Sequence, residues 1–324
     1  MRGLLAVGLL LLAGCATPDS TDVTETAPPD ASMPSDFTME PGDGAHVLAG
    51  LKAFVDLAPQ RFDNRFQHDL ARDFLQQALA DGGLNVTRET FTGPGQVDDP
   101  SEGQNLVATI PGRSNVTILV GAHYDSAVSS YGAAYDDGTG TLLTVELARA
   151  AATRDWNHTL VFALFDQEEA GLVGSSAMAQ SMRDQEAPLA LMINLDMVGI
   201  NWPVGVGGTV NPIPLDFFVG GDGEDTLAAT WRDAVIAAGY PAEASTQDTG
   251  LGGGSSDHGP FRDAEYPAAW LRGALIGSYP TYHNLDRVES MTALVGGDEG
   301  NLVAAFQTVL DLTLAFLAEL DQEV

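Results

Sequence analysis

A chain of 324 residues that is 44% hydrophobic can hold one large domain or two ordinary ones and can bury a sizeable core. Its formal charge of −31 argues against nucleic acid or an anionic lipid surface as the partner, because both repel such a field.

The first fifteen residues, M-R-G-L-L-A-V-G-L-L-L-L-A-G-C, place one Arg before an apolar stretch too short to span a bilayer comfortably. They end on small residues and the chain's single cysteine, Cys15, and read as an export signal. Leu12-Ala13-Gly14-Cys15 resembles the bacterial lipobox, in which the cysteine becomes the lipidated first residue of the mature protein. Ala16 rather than Asp follows it, which favours the outer membrane of the cell envelope. With Cys15 lipidated there is no disulfide, so stability must come from packing and bound metal. Residues 16–44 are rich in Pro, Ser, Thr and acids without periodicity and read as a disordered tether to a domain at 45–324. No second apolar run is expected to reach membrane-spanning length, so any membrane contact is through the lipid alone.

Within the domain, helical spacing covers His46 to Leu57 and Phe66 to Ala80, the second closed by Asp81-Gly82-Gly83. Strands are expected at Leu84 to Thr92, Asn105 to Ile110 and Val116 to Ala122, then a helix from Gly140 to Thr153. A strand at Thr159 to Phe165, a helix from Gly171 to Met182 and a strand at Leu189 to Leu195 follow. Beyond them come a strand at Leu215 to Val219, a helix at Asp225 to Ala238, a strand at Ala268 to Leu271 and a final amphipathic helix from Asn301 to Leu320. Buried strands interleaved with helices predict a single α/β domain with a mostly parallel central sheet flanked by helices. Sites in such sheets gather beyond the carboxyl ends of the strands.

That rule gathers the chemistry. Val116 to Ala122 runs into His123-Tyr124-Asp125, Thr159 to Phe165 into Glu168-Glu169, and Leu189 to Leu195 into Asp196. His123 and Asp125 share a side of an extended chain, so an imidazole can bind metal while a carboxylate fixes its tautomer. Asp136-Asp137-Gly-Thr-Gly reads by default as a turn and helix cap. Two adjacent acids leaving a buried strand repel each other, and something positive must lie between or beyond them.

In order, G-A-H-Y-D-S, A-Y-D-D-G-T-G, F-D-Q-E-E-A-G-L-V-G-S, N-L-D-M-V-G, S-D-H-G-P-F and Y-P-T-Y-H resemble the co-catalytic zinc aminopeptidases, which include bacterial leucyl aminopeptidases and the related glutamate carboxypeptidases. The resemblance runs from about Arg61 to His283. It implies two zinc ions, with cobalt or manganese not excluded, bridged by Asp136. His123 and Asp196 complete one metal site, and Glu169 and His283 the other. Asp125 orients His123, and Asp137 follows Asp136 through a cis peptide. It further implies that Glu168 is the general base, that Tyr282 stabilises an oxyanion, and that peptides are the substrate. Spacing alone leaves His258 and His283 level as the fifth ligand; the family pattern favours His283 and lets His258 support the site from nearby. Many relatives follow that His with Thr where this chain has Asn284.

Three other readings stand beside this one. A glutaminyl cyclase shares the motifs, although such relatives carry Trp where this chain has Tyr282. A carboxypeptidase needs a cation for the substrate carboxylate, for which Arg272 is the candidate. A metal-free, receptor-like module of the same fold would lack the ligands that are all present here.

Overall fold

The computed structural model describes residues 42–62, 64–92, 103–200, 216–220, 224–238, 256–273 and 279–322. Cys15 with its leader, nearly all of the tether, and the glycine-rich loops at 201–214 and 252–255 lie outside the described residues.

The chain opens with two helices, α1 (Gly44–Leu57) and α2 (Arg65–Asp81). Side-chain oxygens start both, Asp43 accepting from Ala45 N at 2.7 Å and Asn64 from Gln67 N at 3.1 Å. These bonds satisfy amides that have no partner inside the helix. Strands β1 (Val86–Phe91), β2 (Gly103–Ile110) and β3 (Thr117–His123) follow, then helix α3 (Thr139–Ala151), β4 (Thr159–Phe165), α4 (Val173–Asp184) and β5 (Leu189–Leu195). The remainder is β6 (Asp216–Gly220), α5 (Glu224–Ala237), α6 (His258–Asp263), β7 (Ala268–Arg272), α7 (Val288–Leu294) and α8 (Glu299–Leu320).

The seven strands form one sheet in the order β1-β2-β4-β3-β5-β7-β6. Its centre, β4-β3-β5-β7, is parallel throughout, and antiparallel strands extend it on both sides. Helices α1, α3, α5 and α8 pack together on one face, with α3 against β3, β4 and β5, while α4 and α6 cover the other. Coverage of both faces is why β3 reads as an unbroken apolar run: every residue from Ile118 to His123 is buried. On the second face, Phe165, Met178, Met192 and Phe261 meet in one cluster.

Helix α8 corrects one expectation. By length and composition alone its 22 residues would suffice to cross a membrane, with mean hydropathy 1.6 over an 18-residue window. Its apolar surface is instead spent on the core, where Leu302, Phe306, Val309, Leu312 and Phe316 are buried. Helix α7 has no counterpart in the expected elements, since seven residues with only Val288 and Met291 buried give too short a pattern to read.

Candidate metal centre

The parallel pairings bring three strand ends to one edge: His123 lies opposite Phe165, and β5 runs beside β3 and ends at Leu195, before Asp196. Asp136 arrives from the loop between β3 and α3, where Ala134–Gly138 make one wide turn. In that turn Asp136 and Asp137 have non-helical angles and are joined by a cis peptide bond. His283 comes from the loop ahead of α7 and itself adopts a left-handed φ of 50°.

Each oxygen of Asp136 faces a different histidine. Oδ1 lies 3.4 Å from His123 Nε2, and Oδ2 lies 3.1 Å from His283 Nε2. Asp196 Oδ1 is 3.9 Å from His123 Nε2, and Glu169 Oε1 is 3.4 Å from His283 Nε2. Two trios result, His123-Asp136-Asp196 and Asp136-Glu169-His283, and the donor atoms within each lie within 4.8 Å of one another. The five side chains expected as ligands are thus brought together. His258 joins neither trio, being buried at the start of α6 with its ring stacked 5.1 Å from that of Trp270.

Asp125 holds the surroundings in place. Its Oδ1 lies 3.3 Å from His123 Nδ1, and its carboxylate accepts from the amides of Glu168 at 3.0 Å and Glu169 at 3.1 Å. One buried acid therefore ties the end of β3 to the turn after β4. That turn departs through Gln167, which adopts a left-handed φ of 61°. Asp137 accepts from Gly140 N at 2.9 Å and Met197 N at 3.2 Å, linking the start of α3 to the segment after β5. A Cβ on Gly140 would come 2.5 Å from Asp137 Oδ2 and would also strike the Leu195 carbonyl, so this position admits only glycine. Ser256 donates to Asp196 Oδ2 at 2.6 Å. Tyr282 stacks on His283 with ring centroids 3.8 Å apart and is 43% exposed, leaving its phenol at the rim. Arg272 lies over the Trp270 ring at 4.7 Å.

The electrostatics test whether a metal fits. Burial pushes Glu169 up to about 8 and Asp196 up to about 6, and repulsion from Asp136 adds to both. Burial also raises Glu168 and Asp137 well above the usual carboxylate range. Asp136 is the exception: burial raises it too, but hydrogen bonds from His123 and His283 prevail and hold it at about 2. Burial opposes charge on His123, yet Glu168, Asp125 and Asp136 together lift its pKa well above the ordinary imidazole value. Acids that keep protons beside imidazoles that gain them mark a cluster short of positive charge, and a divalent cation supplies it. Glu169 Oε1 and Asp196 Oδ1 are buried without a hydrogen bond among the described residues. Oxygen and imidazole donors of this kind suit zinc, and they admit cobalt or manganese.

Two residues outside every motif complete the surroundings. Arg61 is fully buried yet donates to four backbone carbonyls, and burial lowers its pKa only to about 10, so it stays charged. Asp286, equally buried, accepts from Tyr135 N and Asp136 N at 2.8 and 3.0 Å.

The sequence profile of peptidase family M28 matches residues 105–293, more than half of the chain. The chain belongs to peptidase family M28. Among relatives of this M28 chain, leupeptin-inactivating enzyme 1 of Streptomyces exfoliatus is 30% identical over 234 residues, covering 71% of this chain and 44% of that protein. Aminopeptidase YwaD of Bacillus subtilis is 32% identical over 196 residues, covering 58% of this chain and 40% of that one. The matches therefore span less than half the length of these curated relatives. The solved structure of BSAP, a zinc aminopeptidase from Bacillus subtilis, shares the fold at TM-score 0.65 and 16% identity, over 87% of this chain and 96% of that one. A glutaminyl cyclase from an Acidobacteriales bacterium shares it equally, at TM-score 0.65 and 17% identity over 90% and 99%. At such identities the likeness speaks for the fold alone.

Proposed function

We propose that this M28 chain is a zinc aminopeptidase that holds two metal ions and removes the N-terminal residue of peptides. The observation that carries the reading is the division of Asp136, with one oxygen toward His123 and the other toward His283. His123 and Asp196 would hold one ion, Glu169 and His283 the other, and Asp136 both. Bound there, the ions supply Lewis acidity, polarising a carbonyl and lowering the pKa of water.

The chain's own residues do the rest. Glu168 is held by its amide to Asp125 beside the ligands without belonging to either trio, which suits a general base. It takes a proton from water as the new C–O bond forms at the scissile carbonyl. It returns that proton to the leaving nitrogen as the C–N bond breaks. The Tyr282 phenol donates to the carbonyl oxygen as negative charge develops there. Asp125 and Asp137 act through the groups they hold and do not touch substrate. We also read Cys15 as a lipid attachment point that keeps the enzyme in the cell envelope, probed by the Cys15→Ser variant below.

Metal analysis of the purified protein together with a panel of aminoacyl chromogenic substrates tests the proposal, with cyclisation of a glutaminyl peptide as control. Two equivalents of metal and amide hydrolysis are expected. Cyclisation outpacing hydrolysis would make the chain a glutaminyl cyclase, and a folded protein that takes up no metal would make it a receptor-like module.

A further inference from the structure

The loop that delivers Asp136 lies outside any sheet or regular helix, so its backbone groups must find partners elsewhere. Those partners come from two buried residues, Arg61 and Asp286. Arg61 donates from Nη1 to Gly132 O at 2.9 Å and from Nη2 to Ala133 O at 2.9 Å. Its other bonds, to Ala58 O at 3.0 Å and Tyr124 O at 2.7 Å, fasten the same guanidinium to α1's end and to the residue after His123. Asp286 works from the opposite side. Its Oδ2 accepts the amides of Tyr135 and Asp136, and its backbone carbonyl accepts from Ala134 N at 3.1 Å. Tyr279 donates to its Oδ1 at 3.0 Å and fixes the carboxylate's orientation.

Two further details make this specific to the loop. Gly132 has φ 101° and comes so close to the Asp286 carbonyl that any side chain would collide with it. Asp286 also stands three residues after His283, so the residue that grips the Asp136 backbone continues the segment carrying the other loop-borne ligand. Ser129 Oγ donates to His283 O at 2.8 Å and Tyr131 N to Asn284 O at 2.8 Å, so the two loops are laced along their length.

Resting on the metallopeptidase reading, we infer that Arg61 and Asp286 are positioning residues. Together they form a two-sided clamp on residues 132–136 that holds Asp136 where its two oxygens can serve two metal ions and fixes the distance between the Asp136 and His283 loops. The Arg61 guanidinium takes the carbonyls through charge-assisted bonds, and the Asp286 carboxyl takes the amides. Neither residue touches substrate.

Zinc affinity of the full-length chain, measured by chelator competition, tests the clamp alongside the melting temperature of the metal-free protein. Asp286→Asn and Arg61→Lys should each weaken zinc about ten-fold or more, the scale on which groups behind metal ligands act. Tyr279→Phe, which removes a single bond to Asp286, should cause a smaller loss with the fold intact. Because the pair grips one loop, the double variant should lose little more than the worse single one. A merely structural role would lower the metal-free melting temperature and leave zinc affinity unchanged. Wild-type affinity in Asp286→Asn overturns the clamp, and so does wild-type affinity in Tyr279→Phe if the Asn variant does not fold. A wild-type chain that takes up no zinc would instead remove the metallopeptidase reading, and the clamp with it.

Discussion

Stripping the metal should leave a protein whose stability falls as pH rises. Glu169 moves from an ordinary 4.5 up to about 8 and Asp196 from 3.8 up to about 6, both chiefly through burial. A carboxyl raised in the folded state binds more protons there than when unfolded, so its contribution is fully present below its ordinary value and lost as pH climbs through the folded one. His123 and His283 are raised as well and act with the same sign, losing their contribution above neutrality. Asp136, held at about 2, acts oppositely, but only below about pH 4. The Glu169 shift alone converts to about 5 kcal/mol between pH 4.5 and 8, and its carboxylate is close to buried, at 10% side-chain exposure. For a domain of this size that is roughly 10 °C in melting temperature. Thermal melts at pH 5, 6, 7 and 8, with chelator or with zinc, measure it directly. The chelated protein should melt lower at each step, and the increment gained from zinc should widen with pH, because metal and protons compete for the same atoms. A chelated protein that melts higher at pH 8 than at pH 5, or a zinc increment independent of pH, would refute the reasoning.

Glu168→Gln should retain metal and lose about two to four orders of magnitude in turnover; loss of metal along with activity would show that Glu168 and Glu169 have exchanged roles. His283→Ala should empty or greatly weaken one metal site, whereas His258→Ala should leave both filled, and metal counting on the two variants distinguishes them. Gly140→Ala would drive a methyl group into the Asp137 carboxylate and the Leu195 carbonyl. A cost of about 1–3 kcal/mol is expected for that overpacking, with weakened zinc binding, and unchanged denaturant midpoints would contradict it. Cys15→Ser should abolish lipid labelling of the chain in cells, an outcome that continued palmitate incorporation would exclude.

What could be read in advance follows the range of the interactions. The runs T-L-V-F-A-L and L-A-L-M-I-N-L declare their strands because both faces of the sheet are covered, so nearly every side chain there is apolar. His123, Glu169 and Asp196 sit at or just beyond strand ends, where the motifs and the strand-end rule converge, whereas Asp136 and His283 come from loops and are reached through their motifs alone. Asp286 and Arg61 left no such trace. Asp286 reaches back 150 residues to Asp136 N, and Arg61 reaches forward 72 to Ala133 O, each through backbone groups that any residue supplies. A bond to a main-chain atom leaves no mark in the partner's sequence. The composition of α8 does not by itself tell its setting, because a helix clasped by α1, α3 and α5 and one dissolved in lipid draw on the same amino acids.

Helix α8 also decides when the domain can close. Gln307 accepts from Gly44 N at 2.9 Å and donates to Gly42 O at 2.9 Å, joining the first described helix to the last across more than 260 residues. The part of α1 that faces α8 therefore lacks its cover until nearly all the described chain has been synthesised, and a ribosome paused before residue 299 would leave that part open. Such long-range closure is slow, since its loop entropy is spent before the contact is made. On the export reading of the leader, that delay is an advantage: a domain that cannot finish packing before its last helix emerges remains threadable through a narrow channel.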